Sequence, residues 1–259
     1  MSGIEEFITN KNEFKENYEG LKNEPNLISF DGPDGTGKTE ISKRVLEKLK
    51  DKFKSEGKNP DDIIYFKFAS IADTKSQTNI KEQIKECIDV NGNWDKSKIN
   101  HMLKLWSAKL NRSYSDHIIP LLKDGKTVIL DRSEVDVFRA GIEWGDKELL
   151  DTITKYMEDG TLTHGTTSGN RIFITCPAED IYKNLNERPQ LLSPNDPKSL
   201  DEIINRITTE NQAEELISEI NKKERPNIIK IENKRFENTE EKNVHQEMIA
   251  EKILNELKL

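Results

Sequence analysis

The chain has 259 residues, 34% of them charged and 33% apolar, with 40 Lys and Arg against 48 Asp and Glu for a formal net charge of −8. That balance makes the surface as a whole repel polyanions, which weighs against a protein that coats nucleic acid and leaves room for a local basic cleft. The two cysteines, Cys87 and Cys176, are far apart, which excludes a disulfide framework or a paired metal-ligand motif and predicts buried thiols in a reducing compartment.

In chain order, Met1-Ser2-Gly3-Ile4-Glu5-Glu6 is acidic where a signal peptide would be basic and then apolar. No apolar run approaches membrane-spanning length, so a soluble cytoplasmic protein with no membrane partner is expected. Residues 1–26 carry a weak helical pattern rich in Asn, Lys and Glu and read as an N-terminal extension, either capping the domain's edge or partly disordered.

Five short runs rich in Ile, Val, Leu and Phe then read as buried parallel strands, over residues 27–30, 63–68, 127–130, 171–176 and 227–231. Helical stripes separate them. Ile41, Val45 and Leu49 form the first; Ile80, Ile84, Cys87 and Ile88 the second; and Ile99, Met102, Leu103, Trp106 and Leu110 a longer third. Later stripes run through Leu149, Leu150, Ile153 and Met157, through Leu200, Ile203, Ile204 and Ile207, and through Met248, Ile249, Ile253 and Leu257. Residues 160–169, poor in apolar side chains, read as a surface loop. Residues 188–197 begin Arg188-Pro189 and hold three prolines, which suits a mobile lid near 187–200. Alternating strand and helix over 27–259 predicts one α/β domain, a five-stranded parallel sheet flanked by helices on both faces with ligands at the carboxyl ends of the strands.

The motif that carries chemistry is Gly32-Pro33-Asp34-Gly35-Thr36-Gly37-Lys38-Thr39, set between the first strand and the first helix, which matches G-x-x-x-x-G-K-[ST]. Glycines let backbone N–H groups turn inward on a polyphosphate, Lys38 supplies a movable positive charge, and Thr39 a hydroxyl for Mg²⁺. The following helix aims its N-terminus at the same anion. The third strand ends in Leu130-Asp131-Arg132. In such a protein Asp131 stands where a Mg²⁺-water ligand belongs and Arg132 where a guanidinium can clamp a second phosphate; a helix-capping aspartate beside a structural arginine is the other reading.

Together these stretches resemble the thymidylate kinase group of P-loop nucleoside and nucleotide kinases, from about Leu27 to the C-terminus. The resemblance lies in the phrase 30–39, in 118–132 with its helix, glycine turn and Asp-Arg strand end, and in Thr175-Cys176-Pro177-Ala178-Glu179-Asp180. It implies a P-loop NTPase fold and an ATP- and Mg²⁺-dependent kinase whose P-loop residues Gly32, Asp34, Gly35, Thr36, Gly37, Lys38 and Thr39 hold the donor. Thr39 and Asp131 would hold the metal. It further implies that Asp34 approaches the acceptor's sugar, that Arg132 holds its phosphate, and that Arg188 acts as a lid arginine. Lys67 is matched to a basic residue near the end of the second strand and Trp106 to a base-stacking aromatic.

The chain departs from the pattern at Leu110, where an arginine that reads thymine is expected, and lacks a Glu base after the second strand. Trp106 has a second reading as core on its stripe, and Lys67 as a solvated lysine. Arg206 is read as a helical residue pairing with acidic neighbours. The expected acceptor is a nucleotide-like small molecule, first a (deoxy)nucleoside monophosphate. A modified nucleotide within DNA is a less favoured acceptor, and a non-catalytic nucleotide-binding protein is a further alternative. The assembly is left open, with a homodimer among the options.

Overall fold

The computed structural model describes residues 21–67, 82, 83, 85–88, 95–187, 197–222 and 226–259. Most of the N-terminal extension, Phe68, Ile80, Ile84, Arg188 and residues 188–196 of the lid expected near 187–200 lie outside the described residues. Five strands form one sheet: β1 (Glu24–Asp31), β2 (Ile63–Lys67), β3 (Thr127–Asp131), β4 (Ser168–Thr175) and β5 (Asn227–Glu232). Their order is β2-β3-β1-β4-β5 and every pairing is parallel, which is the five-stranded α/β sheet expected.

The strands alternate between two cores. Leu27, Val128 and Leu130 face one cluster, while Ile28, Phe30, Ile129, Ile172 and Ile174 face the other. Because both faces are covered, the strands read in sequence as unbroken apolar runs. On the second face lie α1 (Lys38–Ser55), through Ile41, Val45 and Leu49, and α8 (Thr239–Glu256), through Ile249, Ala250 and Ile253. On the first lie α2 (Ile99–Ser113), α4 (Val135–Trp144), α5 (Lys147–Glu158) and α7 (Leu200–Ile220). Helix α2 continues through a π-helical turn, Tyr114–Ile118, into α3 (Ile119–Lys123), which carries Pro120. Proline cannot donate an intrahelical hydrogen bond and crowds the carbonyl one turn back, and the wide turn before it relieves both defects. Helix α6 (Ala178–Asn186) follows β4.

Several sequence expectations need correction. β1 begins at Glu24, inside the span assigned to the extension, because the Glu24 N–H donates to Thr167 O at 2.9 Å. Residues 160–169 are not a surface loop: Leu162, Thr163, Thr166, Thr167 and Ser168 are buried. Hydroxyls do there what apolar side chains do elsewhere, as Thr167 Oγ1 accepts from the Asn23 N–H at 2.7 Å. β4 accordingly starts at Ser168 and Cys176 lies past its end. Met248 is 63% exposed, and Leu200 and Ile204 are also exposed, so two stripes are rotated from the faces read in sequence. Both thiols are buried and free, as expected, and burial pushes Cys176 up to about 12.

Helix α4 has no counterpart among the sequence stripes, yet Val135, Val137, Phe138 and Ala140 are buried in the first core. Truncating Phe138 to Ala there is expected to cost about 3–5 kcal/mol of folding free energy, read by urea denaturation. A loss near zero would mean that α4 does not anchor on this core.

Candidate functional site

The glycine-rich loop leaves the carboxyl end of β1 and closes on α1. Gly32 sits at φ +126°, and a Cβ on it would lie 2.0 Å from Ile174 O, so no side chain fits. Gly35 and Gly37 also have positive φ. Four of the loop's carbonyls accept hydrogen bonds from the protein's own side chains. Lys38 Nζ donates to Gly32 O and to Pro33 O, the latter at 2.7 Å; Asn184 Nδ2 donates to Gly35 O at 2.9 Å; Asn233 Nδ2 donates to Thr36 O at 2.8 Å. The Gly32–Pro33 peptide has no N–H; in the other three planar peptides the N–H of Asp34, Thr36 and Gly37 points opposite the pinned carbonyl, and the N-terminus of α1 adds its partial positive charge beside them.

That cleft has a volume of about 820 Å³ and runs from the loop past Lys67, Asp131 and Arg132 to Lys234, Arg235 and Phe236. Thr39 Oγ1 donates to Asp131 Oδ2 at 2.6 Å, joining the first residues of α1 to the end of β3. Tyr65 OH donates to the same oxygen at 2.9 Å and lies 3.2 Å from Ser42 Oγ. Burial is the first cause that pushes the Tyr65 phenol well above its ordinary value, so it stays a proton donor to Asp131. Lys67 is exposed at the end of β2, in register with Asp131. Among the described residues no group of three or more His, Cys, Asp or Glu could hold a metal. Thr39 and Asp131 offer hard oxygen donors instead, the kind that share Mg²⁺ with water and phosphate.

Beside the loop lies a second constellation. Arg132 Nη1 donates to both oxygens of Asp136 at 2.8 Å, and its Nη2 donates to Asp34. Burial opposes the charge on both partners. The Asp136 and Asp34 carboxylates nevertheless keep Arg132 more firmly protonated than a free guanidinium, and Arg132 with Lys38 holds Asp34 well below the usual carboxylate range. Burial and the nearby Arg132 press the Lys38 ammonium down.

Arg206 is not a residue pairing only with acidic neighbours on its own helix. It is buried, its Nε lies 2.9 Å from Glu143 Oε2 on α4, and its Nη1 lies 3.9 Å from Asp34. Arg139 meets Glu143 at 2.5 Å and Glu210 at 3.3 Å. The guanidinium carbons of Arg139 and Arg206 lie 5.0 and 5.5 Å from the Trp144 ring centre. Trp106 is partly buried against the first core and meets Trp144 edge-on at 6.4 Å, and Leu110 is wholly inside that core.

The sequence-predicted residues Gly32, Asp34, Gly35, Thr36, Gly37, Lys38, Thr39, Asp131 and Arg132 thus converge at the ends of β1 and β3, with Lys67 on the rim. Sequence reasoning missed Tyr65, Asp136, Arg139, Glu143, Trp144, Asn184, Glu210 and Asn233. The signal they carried was a four-residue spacing, Asp136 from Arg132, Glu143 from Arg139 and Glu210 from Arg206, which is common on any helix.

No family model matches the chain. Two thymidylate kinases of Limosilactobacillus reuteri, from strain DSM 20016 and from subsp. reuteri strain JCM 1112, are each 30% identical to it over 139 residues. The match covers 52% of this chain and 59% of each relative, so the chain spans less than two thirds of the length of the curated relatives it matches. The crystal structure of thymidylate kinase from Ehrlichia chaffeensis superposes with a TM-score of 0.53 at 16% identity, covering 88% of this chain and 97% of that one. The chain therefore has the P-loop α/β fold of a thymidylate kinase and resembles such enzymes in sequence over about half its length.

Glu210 yields a prediction about pH. Burial, opposed by Arg139, pushes it up to about 7 from an ordinary value of 4.5, so the native state holds this proton longer than the unfolded chain. Its contribution is complete below the unfolded value and declines as pH rises through the window from about 4.5 to about 7. Between about pH 5 and about pH 8, Glu210→Gln should lose less stability than the parent in urea titrations, because its amide does not ionise. Parallel curves would contradict this assignment.

Proposed function

We propose that the chain transfers a phosphoryl group from ATP to a nucleotide-like acceptor, first of all a (deoxy)nucleoside monophosphate. The observation that carries this reading is the adjacency of two anion-holding groups: the loop with Lys38, and Arg132 reaching Asp34 across from it. Phosphoryl transfer asks the protein for alignment and charge neutralisation more than for covalent chemistry. The likeness to thymidylate kinases supports the reading.

In this reading the backbone of Gly32, Gly35, Thr36 and Gly37, with Lys38, binds the donor's β and γ phosphates. Thr39 and, through water, Asp131 would hold Mg²⁺, which would offset the charge of the donor phosphates. Tyr65 orients Asp131 for that task. Arg132 binds the acceptor's phosphate, Asp34 a sugar hydroxyl, and Lys67 the rim, while Trp106 offers its exposed part to the acceptor base. Arg188 would complete the site from the lid. An acceptor that already bears a phosphate needs no strong base, which suits the absence of a Glu after β2.

The test is ADP formation from ATP and Mg²⁺ with nucleoside monophosphates, nucleosides and oligonucleotides offered in turn. Monophosphates should stimulate turnover most, and Lys38→Ala should lower kcat by about 10²–10³-fold or more while leaving the thermal transition in place. Stimulation by oligonucleotides alone would transfer the activity to a nucleic-acid acceptor. Slow hydrolysis indifferent to every acceptor would leave a nucleotide-binding protein without transfer.

A further inference from the structure

We propose that Asp31, the last residue of β1, is a positioning residue for acceptor binding: its carboxylate fixes the left-handed turn at Arg132 and so aims that guanidinium into the site. The inference rests on the reading of Arg132 as the acceptor's phosphate ligand.

Arg132 has φ +82°, a conformation that L side chains other than Asn and Asp rarely adopt and that persists only where the surroundings over-determine it. Two restraints do so here, both from the end of β1. The Arg132 N–H donates to Phe30 O at 2.9 Å, continuing the strand pairing by one residue. Beyond that the ladder ends, and Asp31 takes over. Its Oδ1 accepts from the Ser133 N–H at 2.9 Å and its Oδ2 from Ser133 Oγ at 2.8 Å. Successive peptide N–H groups after Asp131 are therefore tied to successive residues of β1, the first by a carbonyl and the second by a side chain.

The location makes a bland packing role a poor account of Asp31. It is 5% exposed at the end of β1; burial raises its pKa to about 7, helped by the nearby Glu134 and opposed by Arg171. An apolar side chain would fill the position without that cost but would leave the Ser133 N–H and Oγ–H without the acceptors that the two Asp31 oxygens supply. Asp31 also directly precedes Gly32, so the same residue that ends β1 before the phosphate loop sets the arginine facing it.

The experiment compares the full chain with Asp31→Ala, Asp31→Asn and Ser133→Ala. Two quantities are read: KM for acceptor and for ATP, and amide hydrogen exchange at residues 132 and 133. Asp31→Ala should raise the acceptor KM about tenfold or more with the ATP KM within about twofold, and speed exchange at Ser133 about tenfold. Asp31→Asn keeps an oxygen for the Ser133 N–H and should recover most of both losses. Ser133→Ala keeps the N–H bond and should shift the acceptor KM only a few-fold. Equal rises in both KM values, or unchanged exchange and acceptor KM, would overturn the assignment. Should Asp31→Ala not fold, a wild-type acceptor KM in Ser133→Ala overturns it equally. A parent chain that phosphorylates no acceptor refutes the functional reading by itself, while exchange at 132 and 133 still decides whether Asp31 holds the turn.

Discussion

The ion pair between Asp34 in the phosphate loop and Arg132 at the end of β3 joins the two halves of the site, and most of the surrounding structure serves to hold its two ends. β1 and β3 are sheet neighbours, with Phe30 in register with Asp131, so the loop after one strand and the turn after the other emerge side by side. The Thr39–Asp131 hydrogen bond makes a second connection between the same two elements. Parallel pairing thus brings a residue 98 positions away in sequence within reach of Asp34 without any contact between the intervening helices being needed for it.

Around that pair the charges are nearly balanced. Lys38, Arg132, Arg139 and Arg206 face Asp34, Asp136, Glu143 and Glu210, all of them buried or nearly so. Taking such groups from water is costly, and an apolar cluster of similar volume would be at least as stable. The arrangement is better understood as holding guanidinium groups in one geometry. Each arginine is engaged by a carboxylate from another part of the chain, so its position is defined before any ligand arrives, and electrostatic preorganisation is what phosphoryl transfer asks of a protein.

Sequence gave access to the parts of the site that are contiguous. The eight residues from Gly32 to Thr39 must follow one another to wrap an anion, so their spacing survives as a readable pattern, and the strand before and helix after it were equally visible. The cluster beneath Arg132 was not legible. Asp136, Arg139 and Glu143 come from α4, a ten-residue helix otherwise made of apolar residues and a glycine, where three charges look like its solvated face, and Arg206 and Glu210 come from α7, where they look like any charged pair one turn apart. Only the packing of α4 against α7 reveals that these charges point at each other. The threonine-rich segment before β4 misled for a related reason: hydroxyl-to-backbone bonds bury a segment without an apolar signal.

The central claim is that one cleft holds two phosphorylated ligands end to end, with the loop on one side and Arg132 on the other. Calorimetric binding of a single molecule that joins adenosine to a second nucleoside through a polyphosphate long enough to span both groups tests it most directly. The account predicts that this ligand binds at least about 100-fold more tightly than ATP, since its second half engages at high effective concentration, and that Arg132→Ala removes most of the advantage. Affinity equal to that of ATP, or an advantage indifferent to Arg132, would contradict it.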